Sequence, residues 1–357
     1  MPRAGDAASI VDYHNDLEIR RWDTLPEPFT SADADAWLTA AEVGRTTGRR
    51  YQFAIEVGGR LIGDLNLRPQ GAGLALIGFG LAAGHRGQGM MTRALRLALP
   101  WGFKEASLDV VHWRAQVGNW ASRRVAWAVG FRVLDTPVPG LLEHQGRRVD
   151  GWLATLRRDD PLEPSQPWLE PERIVGRSVV LRAHRGQDVP RIVEACRDPE
   201  TTHWLSPLPL DYGETQAREH LDKILSEQAH GKAVYWAVAD PETDLMLAEL
   251  GLFIPHPSTR QGEIGYWCHP DARGRGVTTE AVRLAARHGL LPVEEGGLGL
   301  VRLLLRASVD NAASQRVAEK AGFTRSGLDR EGYRLRDGRW HDDVRFDLLA
   351  AELPAVR

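Results

Sequence analysis

Hydrophobic and polar positions along the 357-residue chain change period several times, most sharply within residues 264–323. The apolar run Ile264-Gly265-Tyr266-Trp267-Cys268 reads as a strand that stops at Pro270. Asp271-Ala272-Arg273-Gly274-Arg275-Gly276 then makes a loop with glycines two apart, and Val277, Ala281, Leu284 and Ala285 follow at helical spacing. Residues 303–309 predict a further strand, and residues 310–323 a helix closing on Gly322. Upstream, residues 173–182 predict a strand, and a helix begins near Asp188, which suits the N-cap. Residues 214–227 predict an acidic helix, residues 233–239 and 245–253 a strand pair, and residues 344–349 the last strand. Strands that alternate with helices and later pair antiparallel predict an α/β fold, a mixed sheet with helices on both faces.

The pattern is written twice. Residues 119–131 match residues 311–323 at 8 of 13 positions, and residues 84–98 carry a second version of the glycine loop and its helix. Ile77-Gly78-Phe79-Gly80-Leu81 parallels the strand at residues 264–268, and the offset between copies grows from 182 to 192. Two tandem domains are expected, residues 1–156 and 172–357, joined by an exposed Pro-rich linker over residues 157–171. Asp6 aligns with Asp188, so the first copy is expected to lack its first strand. Either another element covers that edge or the natural protein begins further upstream.

Composition narrows the classes. With 43% hydrophobic and 26% charged residues each half can bury an ordinary core, and a net charge of −3 gives no reason to expect nucleic acid or a membrane surface as partner. The Arg-Gly pairs sit inside a strand–helix pattern, unlike an RNA-binding tail. Cys196 and Cys268 are far apart and lack companions at metal spacing, so neither a disulfide framework nor a metal site is expected. The first fifteen residues lack a signal peptide's apolar core, and no run has the length of a membrane span, so a cytoplasmic protein is expected.

A strand, a glycine-containing loop and a helix N-terminus together form an anion site. The loop can offer backbone N–H groups unobstructed by side chains, and the helix adds partial positive charge. Arg273, Gly274, Arg275, Gly276 and Val277 would supply it, with a pyrophosphate as the natural ligand. The loop lacks both the Gly-Lys-Ser/Thr ending of a P-loop and the third glycine of a dinucleotide fingerprint.

Arg-Gly-Arg-Gly, then Asn311-x-x-Ser314, then Ala321-Gly322-Phe323 resembles the GNAT acyl-CoA-dependent N-acetyltransferases, within them the RimJ/RimL-like branch, over residues 173–349. The resemblance implies acyl transfer from acetyl-CoA to a primary amine of a small molecule or a protein N-terminus, without a metal. It places the pantetheine arm beside residues 266–269, with a backbone N–H near Trp267 or Cys268 as oxyanion donor. It gives Ser314 the role of acid towards the leaving thiolate, since Ala318 stands where many relatives carry a tyrosine. Glu331, in the returning loop with Tyr333, is the expected base, and Glu263 is the alternative on the central strand.

The first copy keeps Arg86, Gly87, Gly89, Asn119 and Ser122, and so could bind CoA. Leu76 and Pro139 replace the two glutamates, so catalysis is expected in the second copy, with His85 and His112 as conceivable substitutes in the first. Two other readings are activity in both copies on different amines, and a non-catalytic acyl-CoA sensor or scaffold. The halves are expected to pack as an intramolecular pseudo-dimer, in a monomer or a homodimer. Trp204, Tyr212 and Trp340 are either pocket-lining or core residues.

Overall fold

Two sheets form in the computed structural model, which describes residues 1–353, one in each of two units, Met1–Ser165 and Gln166–Arg357. In unit 1 the elements run α1 (Ala7–His14), α2 (Leu17–Trp22), α3 (Ser31–Thr46), β1 (Tyr51–Val57), β2 (Arg60–Gly71), β3 (Leu74–Leu81) and α4 (Met90–Glu105). They continue with β4 (Val110–Gln116), α5 (Trp120–Ala128), β5 (Arg132–Val133), β6 (Val138–His144) and β7 (Arg147–Arg157). The strand order is β1-β2-β3-β4-β7-β5, with β6 also on β7.

Unit 2 opens with β8 (Ile174–Val175), β9 (Val180–Arg182), α6 (Val189–Arg197), α7 (Pro199–Trp204), α8 (Glu214–Ala229), β10 (Ala233–Ala239) and β11 (Met246–Phe253). Next come β12 (Gln261–Cys268), α9 (Val277–Leu290), β13 (Arg302–Ser308), α10 (Ala312–Ala321), β14 (Thr324–Arg334) and β15 (Trp340–Leu349), in the sheet order β14-β15-β13-β12-β11-β10-β9-β8. The fold is the expected mixed α/β sheet, twice over. β1 is the counterpart of β10 and ends its sheet, so unit 1 has no equivalent of β8 and β9 among the described residues.

Alternation decides what each sheet face meets. Ile264, Tyr266 and Cys268 turn to the face that packs on α9 and α10, joined by Trp236, Leu250, Leu305 and Phe346. Trp236 and Phe346 are wholly buried, and each such side chain contributes about 1.5–3 kcal/mol. On the other face Trp267 packs with Val189 and Ile192 of α6, Ala217 of α8, and Tyr212 just before α8.

The central strands part in the middle of the sheet. β12 and β13 are parallel and pair over three positions, Gln261–Glu263 with Arg302–Leu304. Beyond Glu263 the two strands diverge, and the loop into α9 and the start of α10 lie at the open end.

Two expectations need correction. The strand expected over residues 173–182 is a hairpin of two short strands, β8 and β9. Asp188 precedes α6 but does not cap it with its side chain. Its carboxylate instead accepts both arms of the buried Arg182 guanidinium, each at 2.8 Å, a stronger charge-assisted pairing than a cap offers. The linker, exposed along most of its length, is anchored by two leucines that are not. Leu162 packs into the core of unit 1, and Leu169 is buried in that of unit 2 with its N–H on Gln228 O at 2.9 Å.

Candidate active site

The glycine at the start of α9 has no choice of conformation. Gly276 is the N-cap at φ 80°, and a Cβ there would meet nothing within 4 Å. It faces open space, so the left-handed backbone rather than crowding calls for glycine. Val277, Ala281, Val282 and Ala285 bury one stripe of α9, which fixes how its N-terminus points. Asn311 caps α10, its side chain accepting the Ser314 N–H at 3.0 Å, and the helix stops at Gly322 with φ 100°.

These two helix starts and the end of β12 enclose a cavity of about 510 Å³. Trp267, Cys268, Arg273, Gly274, Gly276, Val277, Asn311 and Ser314 line it, whereas Arg275 does not. Trp204 and Leu205 close one side. Tyr212 is buried in the α6–α8 core, and Trp340 is exposed on β15.

Two hydroxyls meet inside. Tyr266 OH and Ser314 Oγ are 2.8 Å apart. Burial pushes the Tyr266 phenol up to about 12, against the opposing effect of its bond to Ser314. Burial also raises the Cys268 thiol above its ordinary range, with Thr278 and the loop arginines working the other way. The thiol therefore stays protonated.

Arg273 is a strut rather than a free cation. Its guanidinium reaches Asp198, Glu200 at 2.7 Å and Thr201 Oγ1 at 2.8 Å. Asp198 in turn caps α7 through the Thr201 N–H at 2.9 Å. Burial would raise the Asp198 carboxyl, but Arg273 and the Thr201 N–H outweigh it and hold it below the ordinary range. The unpaired charge at the cavity comes from Arg316 and Lys320 on α10, which form no ion pair among the described residues. Sequence spacing hid neither: both lie on the Ser314 helix, two and six positions on.

Neither glutamate expected as base lines the cavity. Glu263 is held by Arg306 through bonds of 3.0 and 3.1 Å. Glu331 sits in the irregular stretch of β14 between Asp329 and Tyr333, exposed, at φ 52°, with its N–H on Asp342 Oδ1 at 2.8 Å. Its hairpin is tied to the segment that follows the lining residues Trp204 and Leu205, where Ser206 Oγ donates to Arg334 O at 2.8 Å.

A buried network behind Trp267 was not foreseen. Its indole Nε1–H donates to Glu249 Oε1 at 3.2 Å. His184 Nε2 lies 2.8 Å from Glu249 Oε2, and His220 Nε2 lies 2.9 Å from Oε1. Burial would raise the Glu249 carboxyl, but the two imidazoles hold it well below the carboxylate range. Burial likewise opposes a charged His220, and Glu249 outweighs that to raise its pKa. The network fixes the ring of a cavity-lining residue.

Unit 1 repeats the framework. Gly89 caps α4 at φ 69°, Asn119 accepts the Ser122 N–H at 3.1 Å, and Arg86 reaches Asp16, the cap of α2. Ser122 Oγ is met by the Trp113 indole at 3.0 Å.

Among the described residues no helix is long and apolar enough to cross a membrane, and no group of His, Cys, Asp or Glu is placed to hold a metal ion. The model of the acetyltransferase (GNAT) domain family matches residues 1–132 and 178–324. The uncharacterized N-acetyltransferase p20 of Bacillus licheniformis is 25% identical over 51% of this chain and 98% of its own length. The ribosomal-protein-serine acetyltransferase of Escherichia coli is 31% identical over 25% of this chain and 45% of its own. A solved structure, Mycobacterium smegmatis RimJ in complex with CoA-disulfide, is 22% identical, with 49% of this chain and 84% of that one covered and a TM-score of 0.43. With most of both units inside the family match and the loop–helix site present in each, the chain belongs to the GNAT family of acetyltransferases.

Proposed function

We propose that unit 2 transfers an acyl group from a coenzyme A thioester to a primary amine by direct attack. One observation carries the reading: the glycine-capped start of α9, the Ser314–Tyr266 hydroxyl pair and the free end of β12 share one cavity. The open space at Gly276 and the unpaired Arg316 and Lys320 suit the phosphates of the donor. Backbone N–H groups at Trp267 and Cys268 suit the charge that develops on the acyl oxygen. Ser314, with Tyr266 behind it, is the proton donor to the departing thiolate. A half-buried Cys268 whose thiol is held above its ordinary range argues against an acyl-cysteine intermediate, which needs a thiolate.

The acceptor follows from what the wall lacks. Glu200, the carboxylate on the cavity wall, is already bridged to Arg273. An α-amino group, with a pKa of about 7.7–8.0, is partly neutral near pH 7.5 and needs little help. We therefore favour an α-amine, of a small molecule or a peptide N-terminus, in keeping with a relative named for acetylating ribosomal protein. For amines of higher pKa, Glu331 on the hairpin is the base.

Thiol release from acetyl-CoA with a panel of α-amines and alkylamines tests this. Glu331→Gln should lower kcat about tenfold or more for a lysine-like amine and about threefold or less for an α-amine. CoA binding without thiol release for any amine would overturn the catalytic reading. Equal, small effects on both amines would remove Glu331.

A further inference from the structure

The two sheets differ most on the face turned away from the glycine-loop helices. In unit 2 that face is apolar at its middle: Tyr235 and Phe253 pack edge to face at 5.4 Å over Gly251 and Gly265, and Arg306 is neutralised by Glu263. Registers map the equivalent positions of unit 1. Gln52 pairs with Asn66 as Tyr235 pairs with Gly251, and Leu76 pairs with His112 as Glu263 pairs with Leu304. Arg68 thus stands for Phe253, Arg114 for Arg306, and Leu76 for Glu263.

The replacement leaves cations without partners. Arg50, Arg68 and Arg114 form no ion pair among the described residues. They are close enough to feel one another: burial, then the charges of Arg50 and Arg114, lowers the Arg68 pKa, with Asp23 opposing. Asp64, a buried carboxyl on the same strand as Arg68, forms no ion pair with them among the described residues and accepts from Gln52 instead; burial raises its pKa, with His14, Tyr13 and Arg50 opposing.

A second observation lies in the same layer. Asn66 is 8% exposed and its Oδ1 has no hydrogen-bond partner; Gln52 Oε1 and Arg50 Nε are likewise buried and unpartnered. A Cβ on Gly78 would lie 3.2 Å from the Asn66 amide and 3.6 Å from Arg68 Nη2, so amide and guanidinium meet over a glycine. Unmet polar atoms beside uncompensated cations are costly unless something completes them.

We propose that this face of unit 1 is a binding site for a small molecule bearing a carboxylate or phosphate, gripped by Arg50, Arg68 and Arg114, with a hydroxyl or amine donated to Asn66. Guanidinium forks match both oxyanions in two-pronged geometry. The site is independent of the acyl-transfer reading, since none of its residues belongs to unit 2.

Calorimetric titration of the full-length protein at 150 mM chloride tests it, with CoA present to occupy unit 2. The probes are inorganic phosphate and citrate, which distinguish a phosphate from a carboxylate ligand. Leu76→Glu recreates the partner that Arg306 has and should weaken binding of the preferred probe about tenfold or more. Leu76→Gln, equal in size and uncharged, should stay within about twofold of the native protein. Arg114→Ala should follow Leu76→Glu, and thermal melts of each variant establish that it is folded. Binding unchanged in Leu76→Glu and Arg114→Ala, or no binding of either probe to the native protein, overturns the proposal. Tight retention of an acidic peptide with no response to the small anions would overturn it in favour of a protein partner.

Discussion

Units 1 and 2 carry a serine at the same place, yet its hydroxyl meets a different partner in each. Ser314 shares a hydrogen bond with the Tyr266 phenol, inside the cavity. Phe79 stands in unit 1 where unit 2 has Tyr266, and the Ser122 oxygen accepts from the indole of Trp113 instead. The backbone framework survived in both copies, since helix caps and the loop arginine's grip on Asp16 or Asp198 serve folding itself. The chemistry changed around it. A shared motif therefore reports the scaffold, and the partner of each polar atom reports the function.

The widest gap should appear at the serines. Ser314→Ala is expected to lower kcat ~10²-fold with KM nearly unchanged, and Ser122→Ala to change neither by more than about twofold. Comparable losses in steady-state assays would mean that both copies work.

Donor binding comes next. Gly276→Val forces a branched residue to φ 80° at a cost of about 1–3 kcal/mol and fills the open space before α9. Titration with CoA should show affinity reduced about tenfold or more. Gly89→Val, at φ 69°, should leave acetyl-CoA turnover within about twofold. If Gly89→Val abolishes activity, the assignment of the donor to unit 2 is wrong.

Tyr266→Phe imports the unit 1 side chain into unit 2. Ser314 keeps its hydroxyl, so kcat should fall only about threefold to tenfold. A loss as large as that of Ser314→Ala would make Tyr266 the proton donor.

The smallest effect separates two carboxyls at one sheet position. Asp64 pairs with Gly80 on β3 as Glu249 pairs with Trp267 on β12, yet their titrations are displaced in opposite directions. The lowered Glu249 contributes stability above its unfolded pKa, which fades as pH falls through the folded value. The raised His220 contributes most below its unfolded pKa, and that contribution fades as pH rises through the folded value. The raised Asp64 favours the fold at low pH and loses that advantage as pH climbs. At pH 7 Glu249→Gln should lower the melting temperature by a few degrees, whereas Asp64→Asn should leave it unchanged or raise it. Calorimetry that finds both variants equally destabilised would erase the contrast.

Much of this was legible beforehand, for identifiable reasons. Residues 264–323 carry strong periodicity, glycines at left-handed positions and Asn-x-x-Ser caps, all local signals. β14 escaped because none of its positions is buried and its polar residues run consecutively, which leaves no apolar alternation to read. Asp188 misled because its cap position is real while its charge is claimed by Arg182, a tertiary partner. The Glu249 network joins His184 and His220, residues 65 and 29 positions away, and no spacing rule connects them. Glu263 looked like a base because strand position was visible and Arg306, on a strand beyond α9, was not.

The brief pairing of β12 with β13 has a consequence for how the sheet opens. Three residue pairs, formed about forty positions apart in sequence, are the backbone ladder joining β13, β14 and β15 to the strands on the other side. The antiparallel partners of β11 and β15 hold much longer ladders. Native-state hydrogen exchange should therefore find two blocks of slow amides separated by a faster seam at Gly262 and Leu303, opening together at a free energy below that of global unfolding. The α9 and α10 helices, packed across that seam, are what keep its two sides in register.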